Sequence, residues 1–215
     1  MRVTTIITGI FGNYDAPKSF VPQTVLCRML LVTDHEHDWN SDWEILVDEQ
    51  PDGSPRLLAK RPKMFPWDYS DDGPWIWIDG SMEIKSATFA EEALAYVDEV
   101  GMWRHPARDC LYDEAAFSAT LPKYAGQPLD EQAAFYLDDG FPRHYGLWAA
   151  GLIVYKRPVP RLSMLWMHEN WMWTIQDQVS LPYAAHHSEH VPEDLPHHLH
   201  SNPWVHLHFH HDGTS

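Results

Sequence analysis

Asp79 and Gly80 follow directly on Trp75-Ile76-Trp77-Ile78, and this junction is where the sequence most plainly offers chemistry. Four large apolar side chains in a row suit a strand buried on both faces. An open α/β sheet presents its ligand crevice beyond the carboxyl ends of its strands, where Asp79 falls. A carboxylate there, followed by a residue without a Cβ, lets a charged ligand or a metal come close to the backbone. The same pair also makes an ordinary Asp-Gly turn. Basic residues gather at Arg56/Lys60/Arg61/Lys63, Arg104/Arg108 and Lys156/Arg157/Arg161. In an acidic protein such clusters suit a small anion such as a diphosphate, or simply solvated surface. Ten of the fifteen histidines lie between His186 and His211, so a histidine-rich metal-binding tail is a further reading.

The elements that position these groups belong to a chain of 215 residues with 44% hydrophobic content, enough for one generous domain with a full core. A formal charge of −16 argues against a broad electrostatic grip on nucleic acid or anionic membrane. After Arg161 there is no Lys or Arg at all. No apolar run approaches the roughly 20 residues of a membrane span. The start, Met1 to Ile7, reads as a first strand rather than a secretory leader. Cys27 and Cys110, far apart in sequence, read as reduced core thiols, which favours a reducing cytoplasm.

Strands are expected at residues 2–10, 25–33 and Trp43–Val47, at the Trp-rich segment, and at Gly151–Tyr155. Helical periodicity covers Leu57 to Lys63, where Pro62 ends or kinks the helix. It also covers Thr88–Val100, Asp109–Leu121, Asp130–Leu137 and Leu162–Ile175, and resumes near Asp177. Pro51-Asp52-Gly53-Ser54-Pro55 is a turn. Strands that come early and alternate with helices give an α/β class with a helical insert and no separate second domain. Prolines 192, 196 and 203 break up the tail, which should wrap the surface as an irregular arm.

In order along the chain stand Thr8-Gly9-Ile10-Phe11-Gly12-Asn13-Tyr14-Asp15, Thr33-Asp34, Ala59-Lys60-Arg61-Pro62-Lys63 and Trp77-Ile78-Asp79-Gly80-Ser81. The block from His105 to Ala115, Gly146-Leu147 with Ile153 to Arg157, and Asp177 to Tyr183 follow. In this series the chain resembles a glycosyltransferase-like family, long catalogued as a domain of unknown function, with plant members in the secretory pathway. The resemblance covers roughly residues 5–185. It implies a GT-A-like single domain, a mixed and mostly parallel sheet flanked by helices, over residues 1–190. Residues 191–215 would be the histidine-rich arm packed on that domain.

The resemblance also implies roles. The loop from Thr8 and Gly9 to Asp15 would receive the nucleotide, with Phe11 or Tyr14 as a stacking face. Asp34 would accept from base or ribose, or else close a strand-end turn. Lys60 and Lys63, about one helical turn apart, would reach the diphosphate together. Asp79 matches the first acid of an Asp-x-Asp metal element, with Gly80 beside it, but Ser81 stands in place of the second acid. His206 and His208 are therefore the candidates to complete a manganese or magnesium site with Asp79. His105 and Arg108 would border sugar or acceptor, although Arg108 has Asp109 and Glu114 at hand as partners. Asp177 and Gln178 would grip the donor sugar or face the reacting centre. The family more often carries Arg where this chain has Gln176. Trp166, Trp171 and Trp173 would either form a sugar-stacking wall or pack in the core.

The expected activity is transfer of a sugar, as a hexosyl group, from a nucleotide-diphosphate sugar to a hydroxyl acceptor. That acceptor is a glycan, a protein, a lipid or a hydroxymethylated DNA base. The setting is expected to be the cytoplasm, bacterial or viral. The alternatives are a non-catalytic module that binds carbohydrate or nucleotide sugar, and a histidine-rich metal-binding protein.

Overall fold

The structure is a computed structural model and describes residues 3–49 and 53–208. Strand β1 (Thr4–Ile10) is flanked in parallel by β2 (Cys27–Thr33) and β4 (Trp75–Ile78), and β3 (Glu44–Val47) pairs in parallel outside β2. Beyond β4, strand β7 (Trp148–Tyr155) runs antiparallel to both β4 and β6 (Val100–Arg104). A two-residue strand, β8 (Glu193–Asp194), closes the edge, giving the order β3-β2-β1-β4-β7-β6-β8. This is the mostly parallel GT-A-like α/β sheet that the resemblance implies. The chain grows outward from β1 to β3, then returns to β1's other side as β4. That reversal leaves a crevice between the carboxyl ends of β1 and β4.

Period-two alternation sorts the sheet's side chains between two cores. Ile6, Ile76 and Ile78 face one way, together with helix α3 (Phe89–Ala95) and Trp204. Ile7, Trp75 and Trp77 face the other way, toward α6 (Pro160–Met172) and α7 (Asp177–Ser188). The helical insert, α4 (Leu111–Ser118) and α5 (Leu129–Asp138), builds a third cluster around Leu111, Tyr136 and Phe141. No helix among the described residues is long and apolar enough to cross a membrane.

Several expectations shift. The segment from Leu57 to Lys63 forms two short helices, α1 (Pro55–Leu58) and α2 (Lys60–Met64), meeting at Ala59. Pro62 lacks the N–H that would bond Leu58 and its ring crowds that carbonyl, so the break falls one turn upstream of the proline. The helix expected over Thr88–Val100 ends at Ala95, because the Asp98 and Glu99 amides donate to the Glu193 carboxylate 94–95 residues away. Strand β5 (Met82–Ile84), just past Asp79, has no sequence signal, and β6 was expected as the end of a helix and a loop. The arm is more regular than expected. Besides β8, strand β9 (Val205–Leu207) pairs antiparallel with β5. Met1, Arg2, Pro51, Asp52, His210 and His211 lie outside the described residues.

Trp204 anchors the arm. Fully buried, it packs against Phe89 and Trp103, and its indole N–H donates to Glu92 at 2.7 Å. Trp204→Ala should cost about 3–5 kcal/mol, since a buried indole leaves a cavity that its neighbours fill only in part. Urea unfolding measures it, and limited proteolysis should then cut within residues 190–208 first. A loss below about 1 kcal/mol would mean that the arm is not integral to the domain.

Candidate active site

Helix α2 presents Lys60 and Lys63 on one face, and both are buried. Both ammonium groups end on one carboxylate: Lys60 Nζ lies 2.5 Å from Asp177 Oδ1 and Lys63 Nζ 2.7 Å from Asp177 Oδ2. Asp177 is the first residue of α7, where the helix dipole and free amides favour a negative charge. Lys63 also reaches Asp79 Oδ1 at 3.4 Å. The chain thus spans the crevice with a Lys–Asp–Lys cluster and a second carboxylate beside it.

The environment decides how each group ionises. Burial pushes the Asp177 carboxyl upward, but the two ammonium charges more than offset it, and the result is a pKa of about 2. Burial pulls Lys63 down, yet Asp177 and Asp79 together raise it above the ordinary lysine value. Lys60 has Asp177 as its near partner and Lys63 as a repelling neighbour, so burial wins and its pKa is lowered.

Asp79 is held differently. Its backbone N–H donates to Gly151 O at 2.8 Å, and Oδ1 accepts from the Trp77 indole N–H at 2.9 Å. Gly151 on β7 makes room for it, because a Cβ there would stand 3.1 Å from Asp79 Oδ2 and 2.6 Å from Met82 Cε. The Asp79 side chain is 42% exposed against 11% for Asp177, so Asp79 is the carboxylate that a ligand meets.

A cavity of about 310 Å³ opens here, walled by Gly9, Phe11, Tyr14, Arg56, Lys60, Lys63, Trp77, Asp79, Gly80, Ser81 and Asp177 among others. A neighbouring cavity of about 230 Å³ shares Arg56, both lysines and both aspartates, and adds Lys123, Tyr124, Gly151, Gln176 and Gln178. The first has an aromatic side, the second is polar and basic.

Of the residues expected at the site, Asp79, Asp177, Lys60, Lys63, Gly9, Phe11, Tyr14, Gly80, Ser81 and Gln178 therefore line these cavities. Thr8, Asp34, His105 and Arg108 are not among their wall residues. Thr8 is buried within β1. Asp34 accepts the Gly12 N–H at 2.9 Å, behind the loop rather than in the cavity. Arg108 and His105 both turn to Glu114, which is buried. Gln176 belongs to the same network: its amide donates to Glu114 Oε1 at 2.8 Å and Ser118 Oγ at 2.9 Å, and accepts from Tyr124. It fixes the entry to α7, and with it Asp177. Trp166 is fully buried in the core and Trp171 is exposed on α6, away from both cavities.

Arg56, Trp77 and Gly151 were not singled out as site residues. The basic cluster already contained Arg56, and Trp77 lies two residues before Asp79 on the same side of the strand. Gly151 carried no sequence signal, since only the antiparallel pairing of β7 with β4 sets it opposite Asp79.

Among the described residues, the side chains around Asp79 do not compose a divalent-metal centre. Asp177 spends both oxygens on lysines, and Asp79 Oδ1 already faces two donors. The arm does return to this turn, with the His208 N–H donating to Ser81 O at 2.8 Å. The His208 ring, however, bonds Glu83 at 3.0 Å, and His206 lies opposite Glu83 on β9. Among the described residues the three metal-type ligands that do come together are Asp34, His35 and His37.

Asp177→Asn should destabilise the protein by about 3–5 kcal/mol, because it strands two buried ammonium groups against an amide. The pH dependence has a definite sign. With the folded pKa below the ordinary 3.8, the stability from Asp177 is complete above 3.8 and drains as pH falls through about 2. Urea unfolding at stepped pH should show this acid limb in the parent and a flatter one in the variant. Equal limbs would mean that Asp177 is not the linked group.

A family model described as TOD1/MUCI70, glycosyltransferase-like domain, matches residues 28–200. The match takes in Lys60, Lys63, Asp79 and Asp177, but not β1 with its following loop, nor β9. Neither curated proteins nor solved structures yield a match.

Proposed function

The chain belongs to the TOD1/MUCI70 glycosyltransferase-like family, and from that premise we propose that it transfers a hexosyl group from a nucleotide-diphosphate sugar to a hydroxyl acceptor. One observation carries the reading: two buried ammonium groups line a crevice at the sheet's switch point, beside a half-exposed carboxylate. In the reaction the acceptor oxygen bonds to the anomeric carbon while the bond from that carbon to the diphosphate oxygen breaks. The electron pair leaves on the diphosphate, and the hydroxyl proton passes to a base.

Lys63 and Lys60, with Arg56 at the rim, meet the charge that develops on the diphosphate. Fixed cations in a water-poor site stabilise it more than they would in bulk solvent. The Phe11 and Tyr14 side of the cavity takes the nucleoside. Asp79 contacts the donor sugar or accepts the hydroxyl proton, and Asp177 holds the lysines in place. The polar second cavity receives the acceptor, for which a glycan, protein or lipid hydroxyl fits better than DNA, given the charge of −16. No step requires a metal at Asp79.

A cognate donor at about a hundred times its dissociation constant should stabilise the fold by roughly 2.7 kcal/mol. For a chain of this size that is a rise of roughly 5–10 °C in Tm. A screen of uridine and guanosine diphosphate sugars in which none shifts Tm would count against the proposal.

Lys60→Met offers a second check. It leaves Lys63 between the two carboxylates of Asp177 and Asp79 and removes a cation whose pKa burial has lowered. Stability should stay within about 1 kcal/mol of the parent or rise, while the donor-induced shift is largely lost. Asp79→Asn should lower turnover at least about a hundredfold, roughly 2.7 kcal/mol of transition-state stabilisation, with the fold intact. Unchanged kinetics in that folded variant would reduce Asp79 to a turn residue.

A further inference from the structure

The loop after β2 carries a second cluster of chemically capable side chains, independent of the sugar-transfer reading. Asp34, His35 and His37 offer three ligand atoms that all lie within 4.8 Å of one another. Around a zinc-sized ion with bonds of about 2.0–2.1 Å, neighbouring ligand atoms lie roughly 3.3 Å apart, so the set would draw in by up to about 1.5 Å on binding. The rings are already arranged. His35 and His37 have centroids 4.0 Å apart, and His37 stacks flat on Trp39 at 3.7 Å and 7°.

A further polar oxygen stands next to them. His35 is held from both edges of its ring, with Asp34 Oδ1 2.7 Å from Nδ1 and Asn13 Oδ1 3.2 Å from Nε2, so an ion taken at Nδ1 beside Asp34 would leave the Asn13 contact in place. The strongest sign is His37 Nε2, which is shut away from solvent and has no hydrogen-bond partner. An imidazole nitrogen in that condition lacks what a metal would supply, since buried polar atoms are otherwise satisfied.

We propose that Asp34, His35 and His37 bind one first-row transition-metal ion of the zinc class. One carboxylate and two imidazoles suit such an ion better than magnesium or calcium, which take oxygen ligands. The ion would not touch the reacting atoms. Asp34 already holds the Gly12 N–H and His35 reaches Asn13, so the ion would fasten the loop whose Phe11 and Tyr14 line the cavity.

The test is titration of the 215-residue chain with Co²⁺, read by ligand-field absorption and by calorimetry with Zn²⁺. The arm's own histidines are controlled by a variant with His197, His198, His200, His206, His208, His210 and His211 all changed to Ala. That variant should keep one tight equivalent and its absorption band. His37→Ala should lose that equivalent and the band, and Asp34→Asn should weaken it by at least about tenfold. Should His37→Ala fail to fold, the unsubstituted chain still decides the matter by NMR. One equivalent of Co²⁺ should broaden the His35 and His37 rings and the Gly12 amide before any histidine of the arm. Broadening that begins in the arm, or a tight equivalent that survives His37→Ala, overturns the proposal.

Discussion

The structure depends on one carboxylate serving two ammonium groups. Asp177 joins α2, which follows β3, to α7, which follows β7, across the carboxyl ends of the central strands. Such a cluster is expensive to bury and gains little over an apolar core, so stability alone does not account for it. Its value lies in placing two cations beside the cavity with no freedom to fold back onto other partners. The surrounding packing serves that placement. Gln176 is tied to Glu114 and Ser118 below α7, Tyr155 donates to the Lys63 carbonyl at 3.0 Å, and Trp77 braces Asp79.

The two aspartates thereby take different work. Asp177 is saturated and enclosed, and its charge is spent inside the protein. Asp79 has one oxygen engaged and the other beside a glycine, open to a ligand. Identical side chains within reach of one lysine are separated by burial and by the count of cations around each.

Much of this was legible in residues. The run Trp75–Ile78 does form a strand buried on both faces, and the i, i+3 spacing of Lys60 and Lys63 does bring both to one target. These signals are local, and local periodicity is what a sequence displays. The elements that stayed hidden are the ones that long-range pairing creates. Nothing in Met82–Ile84 announces a strand, because its partner is β9, and the end of α3 is set by Glu193 in the arm. Arg108 and His105 are chemically suited to ligands but turn to Glu114 instead, which no spacing rule reveals. The missing second acid at Ser81 also reads differently in three dimensions, since the position offers its carbonyl to the arm and its neighbour Asp79 leans on a lysine.

The pairing of β5 with β9 also bears on the order in which the molecule can be assembled. His208 and Glu83 meet across 125 residues, and Lys60 and Asp177 across 117. Contacts that close such long loops pay their entropy before they gain anything, so they form late. The β2–β1–β4 half can pair and bury its apolar faces early, while the cavity takes its final shape only once the last elements arrive. A partly folded chain would then have a sheet without a ligand site, and ligand binding would report completed folding rather than mere collapse.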